Sequence, residues 1–361
     1  MKVICDNIVF AIQKYGGISV VWQELLSRLR QSAHMDVKYI DVRQSEAANY
    51  SRSKLKLEAS DVLSYINYPK VTRYLPVRLS EQQPFVFHSS YYRYCTNPKA
   101  VNVTTVHDFT YEYFVKGLKQ KVHTWQKFLA IRHSAAVVCI SENTKHDLLR
   151  LMPDVDERKV HVIYNGVSEV FRQLHEPAES AELPFPSGTY LVFIGRRDNY
   201  KNFELAVRGA AATSMRLLII GSQLSEAERR DVEQYLPPRQ YQCLTHISDE
   251  RLNQLYNYAA ALVYPSCYEG FGLPVLEAQR AGCPVIALSA SSIPEIIGTT
   301  PLLMQRPCEE DMVHCIQILS DLDVRNKLVE EGIVNVQRFS WDNMTKQYLR
   351  LYEKLLANNK I

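Results

Sequence analysis

The sequence is 361 residues long, is 46% hydrophobic and 22% charged, and carries a formal net charge of +3. This composition is typical of a globular protein, and the length suits two domains of about 150 residues each. The small net charge gives no indication of a nucleic-acid partner. The eight cysteines form no C-x-x-C pair and several lie in apolar runs, so we expect reduced core residues of a cytoplasmic protein.

The first segment, MKVICDNIVFAI, predicts a buried strand rather than a signal peptide, because Asp6 and Asn7 interrupt its apolar run. No apolar segment approaches the roughly 18 residues needed to cross a bilayer, so we expect any membrane contact to be peripheral, at the inner face of the membrane. Gly16 and Gly17 then precede a helical pattern. Paired glycines let a phosphate approach the backbone at a helix N-terminus, although such a pair is more often only a turn.

Strand patterns return at residues 84–90 and 101–109, and the second ends in His107 and Asp108. An imidazole and a carboxylate at the carboxyl edge of a sheet can hydrogen-bond a sugar and a nearby nucleophile. The alternative interpretation is a cap formed by Asp108 beside a structural histidine.

Residues 114–132 predict a basic amphipathic helix, in which five cations alternate with apolar and aromatic residues: Lys116, Lys119, Lys121, Lys127 and Arg132. The pattern slightly favours a solvated surface face over contact with an anionic membrane surface, and both interpretations stay open.

Residues 169–188 contain three prolines and little periodicity, which predicts an interdomain linker. We therefore expect an N-terminal domain at 1–170, a linker at 171–188 and a second domain at 189–340. The last helix, at 341–357, can join the N-terminal domain.

The second domain begins with a strand that ends at Gly195 and is followed by Arg196 and Lys201. Two cations at a strand end can neutralise a leaving diphosphate, but they can equally be ordinary surface residues. The buried strand pattern at 215–222 has Gly221 at its exit, which we expect to lie near a nucleotide base.

The segment PSCYEGFGLPVLEAQRAGCPVI (265–286) follows an apolar strand and reads as a Gly-bearing loop and a helix, with Pro274 at the first helical position. Glu269 precedes the loop, and we place Glu277 on the first turn of the helix. Backbone N–H groups of the loop, at Gly270, Phe271, Gly272 and Leu273, would face an anionic ligand, and the two carboxylates would bind hydroxyl groups on either side of a diphosphate. The alternative is a common strand–turn–helix with solvated carboxylates.

The segment EGFGLPVLEA resembles the EX7E signature of the retaining GT-B glycosyltransferases of family 4. Four other segments also resemble motifs of this family and occur in the same order along the chain. They are Gly-Gly at 16–17, His-Asp at 107–108, SENTKHDL at 141–148 and Gly-Arg…Lys-Asn at 195–202. The chain departs from the family at 298–303, where GTTPLL replaces the more usual Gly-Asp-Ala. The resemblance implies the GT-B α/β fold, with two Rossmann-like domains facing each other across a cleft and a last helix that crosses back to the first domain.

The resemblance also implies roles for the site residues. Arg196 and Lys201 would bind the donor phosphates, Glu269 the hexose hydroxyls and Glu277 the ribose. His107 would face the sugar and Asp108 the acceptor. The reaction would retain anomeric configuration by a front-face displacement in which the leaving diphosphate accepts the proton.

We expect no metal cofactor. Two tripeptides match the D-x-D metal motif of another glycosyltransferase fold, at 154–156 and 321–323, but the first lies in a polar loop and the second in a helical pattern.

The expected donor is a GDP- or UDP-sugar, with GDP-mannose favoured by resemblance to bacterial surface-polysaccharide mannosyltransferases. The expected acceptor is a growing, lipid-linked glycan of the O-antigen or capsule type. A dehydrogenase is disfavoured because no G-x-G-x-x-G follows an early strand. A noncatalytic sugar-nucleotide-binding protein and, less favoured, a glycoside hydrolase with paired carboxylates remain as alternatives.

Overall fold

The computed structural model describes residues 1–32, 34–43, 49–175 and 182–358. The chain divides into two compact units, the first formed by Met1–Gly166 with Phe339–Ile361 and the second by Val167–Arg338. The second unit thus begins at Val167, before the linker expected at 171–188. Residues 176–181 of that expected linker lie outside the described residues.

The first unit is built on a parallel sheet whose described strands lie in the order β3-β2-β1-β4-β5-β6-β7. The strands are β1 (Lys2–Asp6), β2 (Asp36–Asp41), β3 (Val62–Tyr65), β4 (Phe85–Ser89), β5 (Ala100–Val106), β6 (Ala136–Cys139) and β7 (Val160–Val162). The helices between them are α1 (Val9–Ile12), α2 (Gly17–Leu29), α3 (Tyr50–Ser53), α4 (Pro69–Thr72), α5 (Thr110–Phe114), α6 (Leu118–Arg132) and α7 (Glu142–Leu151).

The second unit has a parallel sheet in the order β10-β9-β8-β11-β12-β13. Its strands are β8 (Tyr190–Ile194), β9 (Arg216–Ile220), β10 (Tyr241–Leu244), β11 (Ala261–Tyr264), β12 (Val285–Leu288) and β13 (Leu303–Met304). Its helices are α8 (Phe203–Ala212), α9 (Glu226–Glu233), α10 (Asp249–Asn257), α11 (Leu273–Arg280), α12 (Ile293–Ile297), α13 (Glu309–Ile318) and α14 (Leu322–Val336). A last helix, α15 (Trp341–Asn358), belongs to the first unit.

The central strands are apolar on both faces, as a parallel sheet covered by helices requires. β4, FVFHS, is buried at every position, and so is β11, ALVY. The strand order reverses between β1 and β4 in the first sheet and between β8 and β11 in the second. Open α/β sheets bind ligands at the carboxyl ends of the strands beside such a reversal. Each unit therefore has a candidate ligand-binding position there.

The last helix packs on the first unit through buried tyrosines. The Tyr352 hydroxyl lies 2.6 Å from His88 Nδ1, and Thr105 Oγ1 lies 2.9 Å from the Tyr348 hydroxyl. His88 Nε2 in turn lies 2.9 Å from Thr105 Oγ1. Burial lowers the pKa of His88 to about 3, so the imidazole is neutral at physiological pH. These contacts confirm the predicted return of the last helix to the first domain.

Two predictions from hydrophobic patterning are wrong in detail. The apolar run after Asp6 does not continue the first strand, because Val9–Ile12 form the short helix α1. The basic helix expected at 114–132 begins only at Leu118, since Phe114 ends α5 and Gly117, with a φ of +82° that only glycine adopts easily, precedes α6. None of the described helices is both long and apolar enough to span a membrane.

We predict that Tyr352→Phe lowers the free energy of unfolding by about 1–3 kcal/mol, because His88 Nδ1 would be left buried without its partner. Chemical denaturation provides the measurement. Tyr68→Phe is the matched control, since Tyr68 is 84% exposed, and it should leave stability unchanged. Equal stability of the two variants would contradict a stabilising role for the Tyr352 hydrogen bond.

Candidate functional site

Two loops of the second unit meet where its strand order reverses. β8 and β11 are hydrogen-bonded neighbours, with Leu191 opposite Ala261. Beyond their ends, the Cys267 N–H donates to the Tyr200 carbonyl at 2.7 Å. Asn202 Nδ2 donates to the Pro265 carbonyl at 2.8 Å, from a backbone with φ of +50°. The loop that carries Lys201 and the loop that carries Glu269 are therefore tied together.

Lys201 and Glu269 form an ion pair between the two loops, Nζ to Oε1. Their side chains are 14% and 12% exposed, so the pair is mostly but not wholly removed from solvent. Tyr264, the last residue of β11, hydrogen-bonds Glu269, and the pKa of its hydroxyl is raised well above the usual value, by burial first and by the Glu269 charge second. A cation and a carboxylate are thus in contact at the carboxyl edge of this sheet.

The Glu269–Phe271 segment is held by two serines at the start of α12. Ser291 Oγ donates to the Glu269 carbonyl at 2.7 Å and accepts from the Glu269 N–H at 3.2 Å. Ser292 Oγ, fully buried, lies 2.9 and 3.0 Å from the carbonyl oxygens of Glu269 and Phe271. These hydrogen bonds fix the loop on the side of α12.

Gly272 allows the loop to turn into α11. Its φ is +106°, and a Cβ there would lie 2.9 Å from Ile293 Cδ1, so a larger residue would be strained. The helix begins at Leu273, with Pro274 at its second position. The expected strand, loop and helix are therefore present.

Glu277 lies one residue further along α11 than expected, because the helix begins at Leu273 and not at Pro274, which puts Glu277 at the start of the second turn. The carboxyl group is partly buried. Burial first, and the neighbouring charge of Asp249 second, raise its pKa to about 8. At pH 7 the group therefore holds a proton and can donate a hydrogen bond as well as accept one.

The glycines at the ends of β8 and β9 lie against each other. Gly195 N–H donates to the Ile220 carbonyl at 2.9 Å, and a Cβ on Gly221 would meet the Gly195 carbonyl oxygen at 2.7 Å. Arg196 points into solvent with 83% of its side chain exposed, and pairs with Asp198 at 3.0 Å. The expected cations thus occupy two different environments, one at the ion pair and one at the surface.

In the first unit, His107 and Asp108 follow the end of β5 at Val106. His107 is partly buried, and burial lowers its pKa to about 4; Asp108 opposes this shift and Lys127 adds to it. Asp108 Oδ1 accepts from the Thr110 N–H at 3.3 Å. A neutral imidazole and a carboxylate thus lie at the carboxyl edge of this sheet.

The glycine pair of the first unit begins a helix, as expected. Gly16 is the N-cap of α2, and its carbonyl accepts from the Ser19 N–H at 3.1 Å. Both glycines are exposed.

Both D-x-D tripeptides have structural partners. Asp154 pairs with Arg132 at 3.1 Å and Asp156 with Arg158 at 2.7 Å. Asp321 caps α14 by accepting from the N–H groups of Asp323 and Val324. The absence of a catalytic metal stays a prediction.

The glycosyl transferases group 1 family model matches residues 148–335, and the glycosyltransferase family 4 model matches residues 15–170. The chain belongs to the glycosyl transferases group 1 family. The resemblance to this family that EGFGLPVLEA and the other motifs indicated is confirmed.

Curated relatives of the family match parts of the chain. O-antigen chain mannosyltransferase B of Escherichia coli is 40% identical over 114 residues, which is 31% of this chain and 30% of that protein. D-inositol 3-phosphate glycosyltransferase of Acidothermus cellulolyticus is 28% identical over 241 residues, 59% of this chain and 51% of that one. The chain thus matches between about a third and a half of the length of these two relatives.

Solved structures match along nearly the whole chain. Sucrose-phosphate synthase from Thermosynechococcus elongatus superimposes with a TM-score of 0.76 at 19% identity, covering 99% of this chain and 100% of that one. Anabaena Alr3699/HepE in complex with UDP and glucose gives 0.73 at 14% identity, covering 98% and 100%. At these identities the likeness concerns the fold, and the GT-B class is confirmed.

Sequence reasoning missed the residues that fix the loops. Asn202 follows Lys201 and has a φ of +50°, a backbone conformation in which asparagine is enriched. Ser291 and Ser292 stand before Ile293-Pro294, a helix start. Lys127, expected on a basic face that meets either solvent or a membrane surface, is instead fully buried.

We predict that Glu277→Gln alters how stability depends on pH. Between pH 4.5 and 8 the folded protein keeps a proton that the unfolded chain releases, so wild-type stability falls as pH rises through this window. The glutamine variant should lack this fall and should melt at a higher temperature than wild type near pH 8. Thermal unfolding from pH 5 to 9 measures this, with Glu204→Gln, 71% exposed, as control. Parallel wild-type and Glu277→Gln curves would refute the raised pKa.

Proposed function

We propose that this protein is a retaining hexosyltransferase that moves a hexose, with mannose as the first candidate, from a nucleotide diphosphate sugar to a hydroxyl of a lipid-linked glycan. The observation that carries the proposal is the Lys201–Glu269 pair at the strand reversal of the second unit. Family membership and the likeness to an O-antigen mannosyltransferase support the reaction class and the sugar.

A nucleotide diphosphate sugar needs a cation for its phosphates and a hydrogen-bond acceptor for its hydroxyl groups, and Lys201 and Glu269 can provide these two groups. The Lys201 ammonium neutralises the charge that develops on the leaving diphosphate, and the N–H groups at the start of α11 add positive potential. Glu269 accepts hydrogen bonds from hexose hydroxyls once the lysine turns to phosphate. Glu277 binds the ribose, and Arg196 adds a second, exposed cation from the surface.

The reaction proceeds without inversion at the anomeric carbon. The bond from that carbon to the diphosphate oxygen breaks, and the acceptor oxygen bonds to the same face. The acceptor proton passes to the leaving diphosphate, so a strong protein base is unnecessary. The family resemblance supports further roles for His107 and Asp108 in this scheme: the neutral imidazole hydrogen-bonds the sugar, and Asp108 orients the acceptor. No metal is required in this scheme.

The donor is to be found by thermal-shift screening against GDP-, UDP- and ADP-sugars, with GDP-mannose tested first. With that donor, we expect Lys201→Met and Glu269→Gln each to lower kcat by at least about a hundredfold, because each removes a group that contacts the reacting sugar phosphate. Product anomers are assigned by NMR.

Arg208→Ala is the matched control, since Arg208 pairs with Glu309 on the surface of the same unit. It should transfer sugar at the wild-type rate. Wild-type turnover from Lys201→Met would overturn the assignment, and binding without transfer or donor hydrolysis would favour a sugar-nucleotide-binding protein. A loss of activity in EDTA that Mn²⁺ restores would overturn metal independence.

The surface of α6 supports peripheral contact with an anionic membrane at the inner face, where a lipid-linked acceptor would lie. Leu118 and Trp125 are 77% and 56% exposed. With Lys121 they stand at i, i+3 and i+7, so one helix face carries apolar groups beside a cation. Exposed Lys116 and Lys119 adjoin them.

We expect the protein to float with vesicles that contain anionic lipid and to be released by salt. Leu118→Ala/Trp125→Ala should abolish flotation, because it removes the apolar face. Leu322→Ala, at a 71% exposed leucine of the second unit, is the control and should float as wild type does. Absence of wild-type flotation at low salt would refute membrane contact.

A further inference from the structure

Lys127 of α6 is a fully buried lysine whose ammonium makes two short contacts. Its side chain is 0% exposed, and Nζ donates to Glu112 Oε2 at 2.7 Å. Nζ also donates to the backbone carbonyl of Asp108 at 2.8 Å. It lies 4.5 Å from the centre of the Phe109 ring, so an aromatic face covers its third side.

The side chain of Glu112, like that of Lys127, is buried and hydrogen-bonded. Only 4% of its side chain is exposed, and Thr124 donates to Oε1 at 2.9 Å. Burial raises the pKa of Glu112, but the neighbouring groups of His123, Lys127 and Thr124 outweigh it and hold the pKa at about 2. The carboxylate therefore remains charged and fixes the lysine at all ordinary pH values.

A buried ion pair is a costly way to fill a core. Removing two charges from water costs several kcal/mol per ion, and apolar residues of similar volume are often as stable or more so. Stability alone therefore gives no reason for Lys127. Its bond to the Asp108 carbonyl suggests another reason, because that carbonyl belongs to the turn between β5 and α5.

Three bonds fix this turn. The Tyr92 hydroxyl is hydrogen-bonded to the backbone of His107. Lys127 holds the carbonyl of the next residue, and the Asp108 side chain binds the Thr110 N–H. Of these, the Lys127 bond is the one that reaches the turn from another helix and carries a charge.

We propose that Lys127 is a positioning residue, which, held by Glu112, acts through the Asp108 carbonyl to keep His107 and Asp108 in the orientation that sugar transfer needs. This rests on the proposed function for the identity of the reaction. Because the lysine is fully buried, we assign it no contact with the substrate.

The charge of Lys127 also reaches His107. The groups that face this imidazole are Asp108 in the same turn, Lys127 from α6, and His88 from β4. Loss of Lys127 removes a cation that opposes protonation. The titration of His107 should then move to higher pH, in addition to any change in its position.

The experiment compares Lys127→Met with Lys159→Met in the full chain. Lys159 Nζ also holds two backbone carbonyls, those of Ile131 and Ser134 at 3.0 and 3.2 Å, but at the far end of α6. With the donor found by screening, Lys127→Met should lower kcat about tenfold to a hundredfold with KM for the donor nearly unchanged. Lys159→Met should lose stability at most.

Histidine NMR gives a second readout that needs no activity. The His107 ring signal, assigned from its loss in His107→Gln, should titrate at higher pH in Lys127→Met and as wild type in Lys159→Met. If wild type transfers no sugar, the proposed function fails while this titration still tests the contact. Wild-type kcat per folded molecule together with an unchanged His107 titration in Lys127→Met would overturn the proposal.

Should Lys127→Met fail to fold, Glu112→Gln tests the same link with a nearly isosteric change. It removes the charge that holds the lysine and should lower kcat in the same selective way, but less. An unchanged kcat in folded Glu112→Gln would overturn the proposal by this route.

Discussion

The adjacency of β8 and β11 is the constraint on which the candidate site depends. Lys201 and Glu269 are 68 positions apart in the chain, and they meet because the strand order reverses between these two strands. Parallel strands that are neighbours in a sheet but not in sequence send their following loops away on opposite faces, which leaves the strand ends open between them. The bonds from Cys267 to Tyr200 and from Asn202 to Pro265 then join the loops across this opening.

The ion pair settles the charges at the candidate site. Lys201 and Glu269 neutralise each other, so neither charge is left uncompensated in a mostly buried place. In the proposed reaction, a donor would bring an anion for the lysine and hydroxyl groups that donate hydrogen bonds to the glutamate. A bare anion would pair with the lysine and leave Glu269 without a partner. On the proposed function, the pair therefore favours a phosphate that carries a sugar.

The sequence allowed the site of the second unit to be predicted better than its surroundings. The strand at 190–194, the loop at 265–272 and both charged residues of the pair were expected, because buried parallel strands and Gly-bearing loops leave local signals. Short elements such as α3 and β3 left none, since β3 is an edge strand with mostly exposed residues. Glu277 was misplaced by one residue, because the first residue of a helix depends on backbone geometry.

Lys127 shows a different limit. The pattern of Lys127 on α6 is that of any basic surface helix. Its burial depends on Glu112, which lies on another helix beyond the break at Gly117.

The two Lys–Glu pairs differ in whether a ligand can replace one of the partners. Lys201 and Glu269 keep 14% and 12% exposure, so a ligand can reach and exchange them. Lys127 and Glu112, at 0% and 4%, cannot be exchanged without exposing a bare charge, and such a pair can only hold its neighbours in place.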